Sequence, residues 1–219
     1  MKNPLKRLPF WRNYTTKQHA EWWTNRKIDW KTSYLDTWKH PHRECISAML
    51  SQFSWLSLIE IGCGPGANLI NIIKKFKDRQ LGGVDVNPEA IALAKKTFTD
   101  GLFKVCPGND VMLSDKSTDV TLTDMMLIYV GPLKIDSYIE ELKRITRNHV
   151  MLCEFHSKNP FKRLWLKMFS GYNAYDYPSL LRKHGFYDIL SYKLAPEDWP
   201  DGKHQKDFGY IFTARVPKR

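Results

Sequence analysis

Leu58-Ile59-Glu60-Ile61-Gly62-Cys63-Gly64-Pro65-Gly66-Ala67-Asn68-Leu69 is the stretch that decides the fold of this chain. An apolar segment of strand length passes through three glycines at alternate positions into Leu69-Ile70-Asn71-Ile72-Ile73-Lys74-Lys75-Phe76, whose apolar residues recur at helical spacing. The reading is strand, tight turn, helix. Glycines at such a turn permit positive φ and let a ligand approach the backbone more closely than any Cβ would allow. The helix start beyond them offers unpaired N–H groups to an electron-rich partner.

A second unit follows at once. Gln80-Leu81-Gly82-Gly83-Val84-Asp85 reads as a strand ending in an acid, and Asn87, Pro88 and Glu89 supply an N-cap, a first helical proline and a first-turn acid for the next helix. An acid at the end of a second parallel strand can accept both ribose hydroxyls of an adenosine, which makes Asp85 the expected ribose ligand.

The pattern Glu60-x-Gly62-x-Gly64-x-Gly66 resembles the first motif of class I S-adenosylmethionine-dependent methyltransferases. A nicotinamide site would carry its third glycine one place later, where Ala67 stands. The resemblance covers roughly residues 56–216 and implies an α/β fold: a seven-stranded Rossmann-like sandwich, mostly parallel, with an antiparallel last strand between the fifth and sixth and helices on both faces. It implies S-adenosylmethionine as cofactor, with S-adenosylhomocysteine as product. The cofactor residues it implies are Glu60, Gly62, Cys63, Gly64, Gly66 and Asn68 around the turn, then Asp85 and Val86. In the loop after a third strand at 102–106, Asn109 or Asp110 would meet the adenine amine and Val111 its ring. Asp124 and Met125 close a fourth strand at the carboxyl edge, where open α/β sheets bind ligands, and residues 125–130 would wall the transferable methyl.

The remaining elements follow the same plan. Residues 134–145 are amphipathic, with Ile135, Ile139, Leu142 and Ile145 on one face. A fifth strand at 149–154 delivers His156 to the carboxyl edge, helices follow at 160–170 and 179–184, Gly185 ends the latter, and strands at 186–194 and 208–216 finish the chain. Residues 1–55 form an aromatic-rich segment ahead of the domain at 56–219, with Phe10, Trp11, Tyr14, Trp22, Trp23, Trp30, Tyr34, Trp38, Phe53 and Trp55. Helices are expected there at 15–28 and 42–53, and the resemblance implies that this segment covers the acceptor.

Composition narrows the class. The 219 residues suit one domain, and no apolar run reaches membrane-spanning length, so a cytoplasmic protein without a membrane is expected. Cys45, Cys63, Cys106 and Cys153 lack metal or disulfide spacing, and His40-Pro41-His42 has no carboxylate pair nearby in sequence to complete a coordination sphere, so no metal site is expected. A formal charge of +11, spread over clusters at 2–12, 74–79, 158–167 and 217–219, is compatible with nucleic acid, an anionic small substrate or solubility.

Methyl transfer from a sulfonium is an in-line displacement, in which the protein aligns and desolvates the acceptor. A hydroxyl acceptor would use a base, for which His156 comes first and Tyr129 and Asp124 follow; an amine need only arrive unprotonated. Asp124-Met125-Met126-Leu127 stands where an Asn-Pro-Pro-Tyr motif would mark amino-methylation of nucleic-acid bases, and no Pro-Cys nucleophile is present. The expected activity is therefore O- or N-methylation of a small molecule by a monomer or homodimer. The rivals are RNA methylation over the basic surface and a catalytically idle, cofactor-binding partner subunit.

Overall fold

The computed structural model describes residues 15–217. The basic start at 2–12, Phe10, Trp11, Tyr14 and the end of the basic tail at 218–219 lie outside the described residues. Seven strands, β1 (Ser57–Ile61), β2 (Gln80–Asp85), β3 (Leu102–Val105), β4 (Thr118–Asp124), β5 (Thr146–Phe155), β6 (Tyr187–Lys193) and β7 (Gly209–Arg215), form one sheet in the order β3-β2-β1-β4-β5-β7-β6. β1 to β5 pair in parallel, and β7 runs antiparallel between β5 and β6, as the resemblance implies.

Helices cover both faces. On one, α3 (Pro41–Leu50), α4 (Ala67–Lys75) and α5 (Pro88–Thr97) bury Ile46, Leu50, Leu69, Ile72, Ile91 and Ala94. On the other, α6 (Ile135–Ile145) and α8 (Tyr177–Lys183) bury Ile139, Leu142, Tyr177 and Leu181. Every residue of β1 is buried, as a central parallel strand covered on both sides requires. At its amino end, Asp119 accepts from the N–H groups of Leu56 and Ser57 at 2.9 and 3.0 Å and from Arg147 Nε at 2.8 Å, which ties β1, β4 and β5 together.

The leading segment departs from the expected pair of helices. α1 (Thr16–Thr24) opens on a capping box between Thr15 and Gln18 and stops at Asn25, whose side chain takes the Glu21 carbonyl at 2.8 Å. Asp29 then caps the short α2 (Trp30–Ser33), and a 3₁₀ turn, Leu35–Lys39, leads into α3. β5 likewise starts earlier than expected, because α6 ends directly into extended backbone at Thr146.

α1 is pinned at both ends. Thr16 Oγ1 accepts from the Gly131 N–H at 2.6 Å. At the other end Asn87 joins two helices: its Oδ1 accepts from the N–H groups of Glu89 and Ala90, while Nδ2 donates to the carbonyls of Trp23 at 2.8 Å and Arg26 at 3.0 Å. Replacing a cap costs about 1 kcal/mol, and stranding buried carbonyls costs about 1–3 kcal/mol more. Asn87→Ala is expected to lower stability by about 2–3 kcal/mol in urea unfolding, and Asn87→Asp, which keeps the cap and loses the donor, to fall between the two.

Candidate active site

Gly62, Gly64 and Gly66 all take positive φ, at 78°, 50° and 93°. A Cβ at Gly62 would meet the Met126 side chain at 2.5 Å, whereas nothing lies within 4 Å of one at Gly64. The turn is thus closed at Gly62 and open at Gly64. Asp85 holds the turn's shape by accepting from the Gly64 N–H at 2.9 Å and, through its other oxygen, from the Asn87 N–H at 2.8 Å. Burial raises the Asp85 carboxyl, and these backbone N–H groups pull it the other way. Each of its oxygens keeps lone-pair capacity for a further donor.

Beneath the turn lies a connected polar cluster. Asp124 Oδ2, at the carboxyl end of β4, accepts from His42 Nε2 at 3.0 Å, Asn68 Nδ2 at 3.0 Å and an Arg43 guanidinium nitrogen at 3.3 Å. Burial pushes this carboxyl up, but His42, Arg43 and Asn68 outweigh it and hold Asp124 well below the usual carboxylate range. Asn68 also donates to Glu60 Oε1 at 2.6 Å. Glu60 is 2% exposed and burial pushes it up to about 8. Its second oxygen, Oε2, is buried without a hydrogen-bond partner among the described residues. His42 Nδ1 faces His40, whose Nε2 pairs with Asp201 at 2.9 Å, and the His42 ring stacks on Trp199 at 3.8 Å. The two imidazoles are committed to carboxylates and to each other; no group of three or more metal-ligating side chains occurs among the described residues.

One cleft joins these parts. Of the residues expected to hold the cofactor, Glu60, Gly62, Cys63, Gly64, Asn68, Asp85, Val86, Asp124 and Met125 line it. Gly66 instead starts α4 against the Phe98 ring. The loop after β3 reaches the cleft through Cys106 and Gly108, while Asn109 and Asp110 are outside its lining. Val111 is 1% exposed in the core, its N–H given to Glu141 at 2.6 Å. His156 is not brought to the cleft: it packs on the Tyr210 and Phe212 rings of β7, faces the Tyr175 carbonyl through Nδ1 at 2.9 Å, and lines a separate cavity with Lys158 and Asn159.

Residues outside the expected set complete the walls. α1 contributes Thr16, His19, Ala20 and Trp23, the turns after it Trp30 and Tyr34, α3 His42 and Arg43, and the β6–β7 connection Trp199. Tyr129 packs on Trp23 at 5.4 Å and His19 at 5.2 Å between ring centroids. Burial first, and Lys167 second, bring His19 down to about 4, so its imidazole is neutral at pH 7.

The donor set fits a nucleoside carrying an amino acid: an acid for ribose hydroxyls, an open glycine, and the Oε2 atom of Glu60 set to receive an ammonium. The 3-2-1-4-5-7-6 sheet that carries this cleft at its carboxyl edge is the class I methyltransferase fold. The comparisons agree: residues 58–149 match the family described as "Methyltransferase domain", and the chain carries a class I S-adenosylmethionine-dependent methyltransferase domain. A stretch of 47 residues, 22% of this chain, is 38% identical to an uncharacterized protein of Rickettsia prowazekii and spans 19% of that protein's length. Among solved structures, geranyl diphosphate C-methyltransferase from Streptomyces coelicolor superposes with a TM-score of 0.66 at 12% identity, over 92% of this chain and 98% of that one. A Haemonchus contortus phosphoethanolamine N-methyltransferase reaches 0.65 at 14% identity, over 94% and 59%. The structure of a methyltransferase in complex with the Trm112 activator from Haloferax volcanii reaches 0.63 at 16% identity, over 82% and 90%. At these identities the likeness is one of fold.

Glu60 generates a pH prediction. Its folded value, about 8, lies above the unfolded value of about 4.3, so the native state holds the extra proton and stability falls as pH rises through that window. Glu60→Gln is expected to melt about 3 °C or more above the wild type at pH 9, with the gap closing below pH 5, while binding S-adenosylmethionine more weakly.

Proposed function

We propose that this chain transfers the methyl group of S-adenosylmethionine to an oxygen or nitrogen atom of a small-molecule acceptor. The observation that supports this most is the shared cleft: the aromatic residues Trp23, Trp30, Tyr34 and Tyr129 wall the same space as Glu60 and Asp85, which suits a small guest enclosed beside the cofactor. When bound, S-adenosylmethionine supplies an electrophilic methyl and its own leaving group. Glu60 would receive the cofactor's ammonium and Asp85 the ribose hydroxyls, with the loop after β3 flanking the base end through Cys106 and Gly108 and with Val86 and Met125 along the ligand. Residues 15–55, with α1 foremost, act as the acceptor's cover and keep water out.

The groups offered to the acceptor are neutral. Burial raises the Tyr129 hydroxyl far above its ordinary value, and His19 stays uncharged at pH 7, so both orient an acceptor by hydrogen bonds. Asp124, held ionised by three donors on Oδ2, serves as an anchor for the walls and not as a base. An acceptor whose nucleophile is already unprotonated, such as a neutral amine, suits these walls best.

Calorimetry with S-adenosylmethionine and S-adenosylhomocysteine tests the cofactor half. The wild type is expected to bind both, and Asp85→Ala to lose about 10- to 100-fold, since hydrogen bonds to a charged group contribute about 1.5–3 kcal/mol. Failure of a folded wild type to bind either ligand overturns the reading. With an acceptor found by screening for release of S-adenosylhomocysteine, Tyr129→Phe is expected to lower kcat about tenfold and His156→Ala to leave it within about twofold.

A further inference from the structure

α7 (Pro160–Ser170) buries one side chain completely, Leu166. Four large apolar residues point outward instead: Phe161 at 79% exposure, Leu164 at 57%, Trp165 at 50% and Phe169 at 50%. Their spacing of three, one and four residues sets them on a single stripe of the helix, with the Trp165 and Phe169 rings 5.1 Å apart. Lys162 flanks one side of the stripe, with Lys158 exposed just ahead of the helix, Arg163 closing its first turn onto the carbonyls of Ser157 and Lys158, and Lys167 turned inward onto the Gly171 carbonyl at 3.0 Å. From residue 155 to residue 175 the sequence has no acid at all. Elsewhere cations of this chain pair readily with carboxylates, as Arg144, Arg147 and Lys183 do.

We infer that α7 seats this protein on the surface of an anionic lipid bilayer, with Phe161, Leu164, Trp165 and Phe169 entering the headgroup boundary and Lys158 and Lys162 meeting the lipid charges. A short helix with an apolar aromatic stripe, a cationic rim and no acids has the makeup of an interfacial helix. Charge complementarity selects the bilayer over other occupants. A second copy would bring two cationic rims together, and nucleic acid would leave the apolar stripe in water. No helix among the described residues is long and apolar enough to cross a membrane, so the contact is peripheral.

The seat adjoins the cleft. Leu166 packs with Ile128 and Phe155, and Tyr129, a cleft wall, lies against the same cluster. α1 meets α7 through His19, which senses Lys167 and the Gly171 carbonyl. A protein bound through α7 therefore holds its cleft within one layer of side chains of the lipid surface.

Co-sedimentation of the full chain with vesicles tests this, comparing pure phosphatidylcholine with vesicles holding about 30% phosphatidylglycerol. Partitioning is expected to be at least about tenfold stronger on the anionic vesicles. It should fall about tenfold or more in the Phe161→Ser/Trp165→Ser/Phe169→Ser variant, and also in Lys158→Glu/Lys162→Glu, which leaves the stripe intact, both with unchanged thermal melts. Absence of vesicle binding by the folded wild type overturns the proposal, as does equal binding to neutral vesicles or full binding by the apolar variant. A concentration-dependent dimer that the apolar variant abolishes, or binding of a single-stranded RNA that the charge variant abolishes, without vesicle binding in either case, assigns the face to a different occupant and equally overturns it. None of these readouts depends on methyl transfer.

Discussion

A carboxylate removed from water needs donors, and Asp124 gathers three of them on Oδ2, while its Oδ1 is buried without a hydrogen-bond partner among the described residues. His42 and Arg43 arrive from α3, ahead of the sheet in sequence, and Asn68 from the first turn of α4. The same Asn68 amide reaches Glu60 at the end of β1. Four separate parts of the chain are thereby held at one point on the carboxyl edge, and the cleft's floor takes its shape from them. Removing any donor leaves a buried charge short of a partner, which is among the more expensive defects a folded protein can carry.

That cluster also sets a contrast between neighbouring acids. Asp124 is held ionised by cations and an amide gathered on one oxygen, whereas Glu60, a few ångströms away across Asn68, takes that amide and is pushed up by burial; each keeps its other oxygen unpartnered among the described residues. The first behaves as a strut. The second gives up stability as pH rises, since burial opposes its ionised form.

Much of this was legible from the residues. The glycine turn and Asp85 announce themselves because positive φ and a strand-end acid leave few alternatives in residue type, and Asn87, Pro88 and Glu89 mark a helix start by local chemistry alone. The strand order followed from the resemblance those motifs carry. What escaped depends on contacts between distant segments. His40 and His42, read as no metal pair, carry nothing in sequence that announces their partners Asp201 and Asp124, residues far along the chain. Trp199 sits in an unremarkable polar loop until that loop folds back onto His42. His156 does emerge at the carboxyl end of β5, but the antiparallel β7 beside it offers two aromatic rings and draws the imidazole away from the cleft. Val111 was read as an adenine contact, and the hydrogen bond to Glu141 instead turns it into the core.

The double duty of Asn87 carries a lesson for anyone recombining such chains. One amide caps the helix that follows Asp85 and also clasps the end of α1. The leading segment and the sheet core therefore do not behave as interchangeable modules. A graft that imports a foreign leading segment must bring carbonyls to the same spot or carry its own residue 87 with it, so the walls that α1 lends the cleft change more readily by side-chain substitution than by exchange of the whole segment.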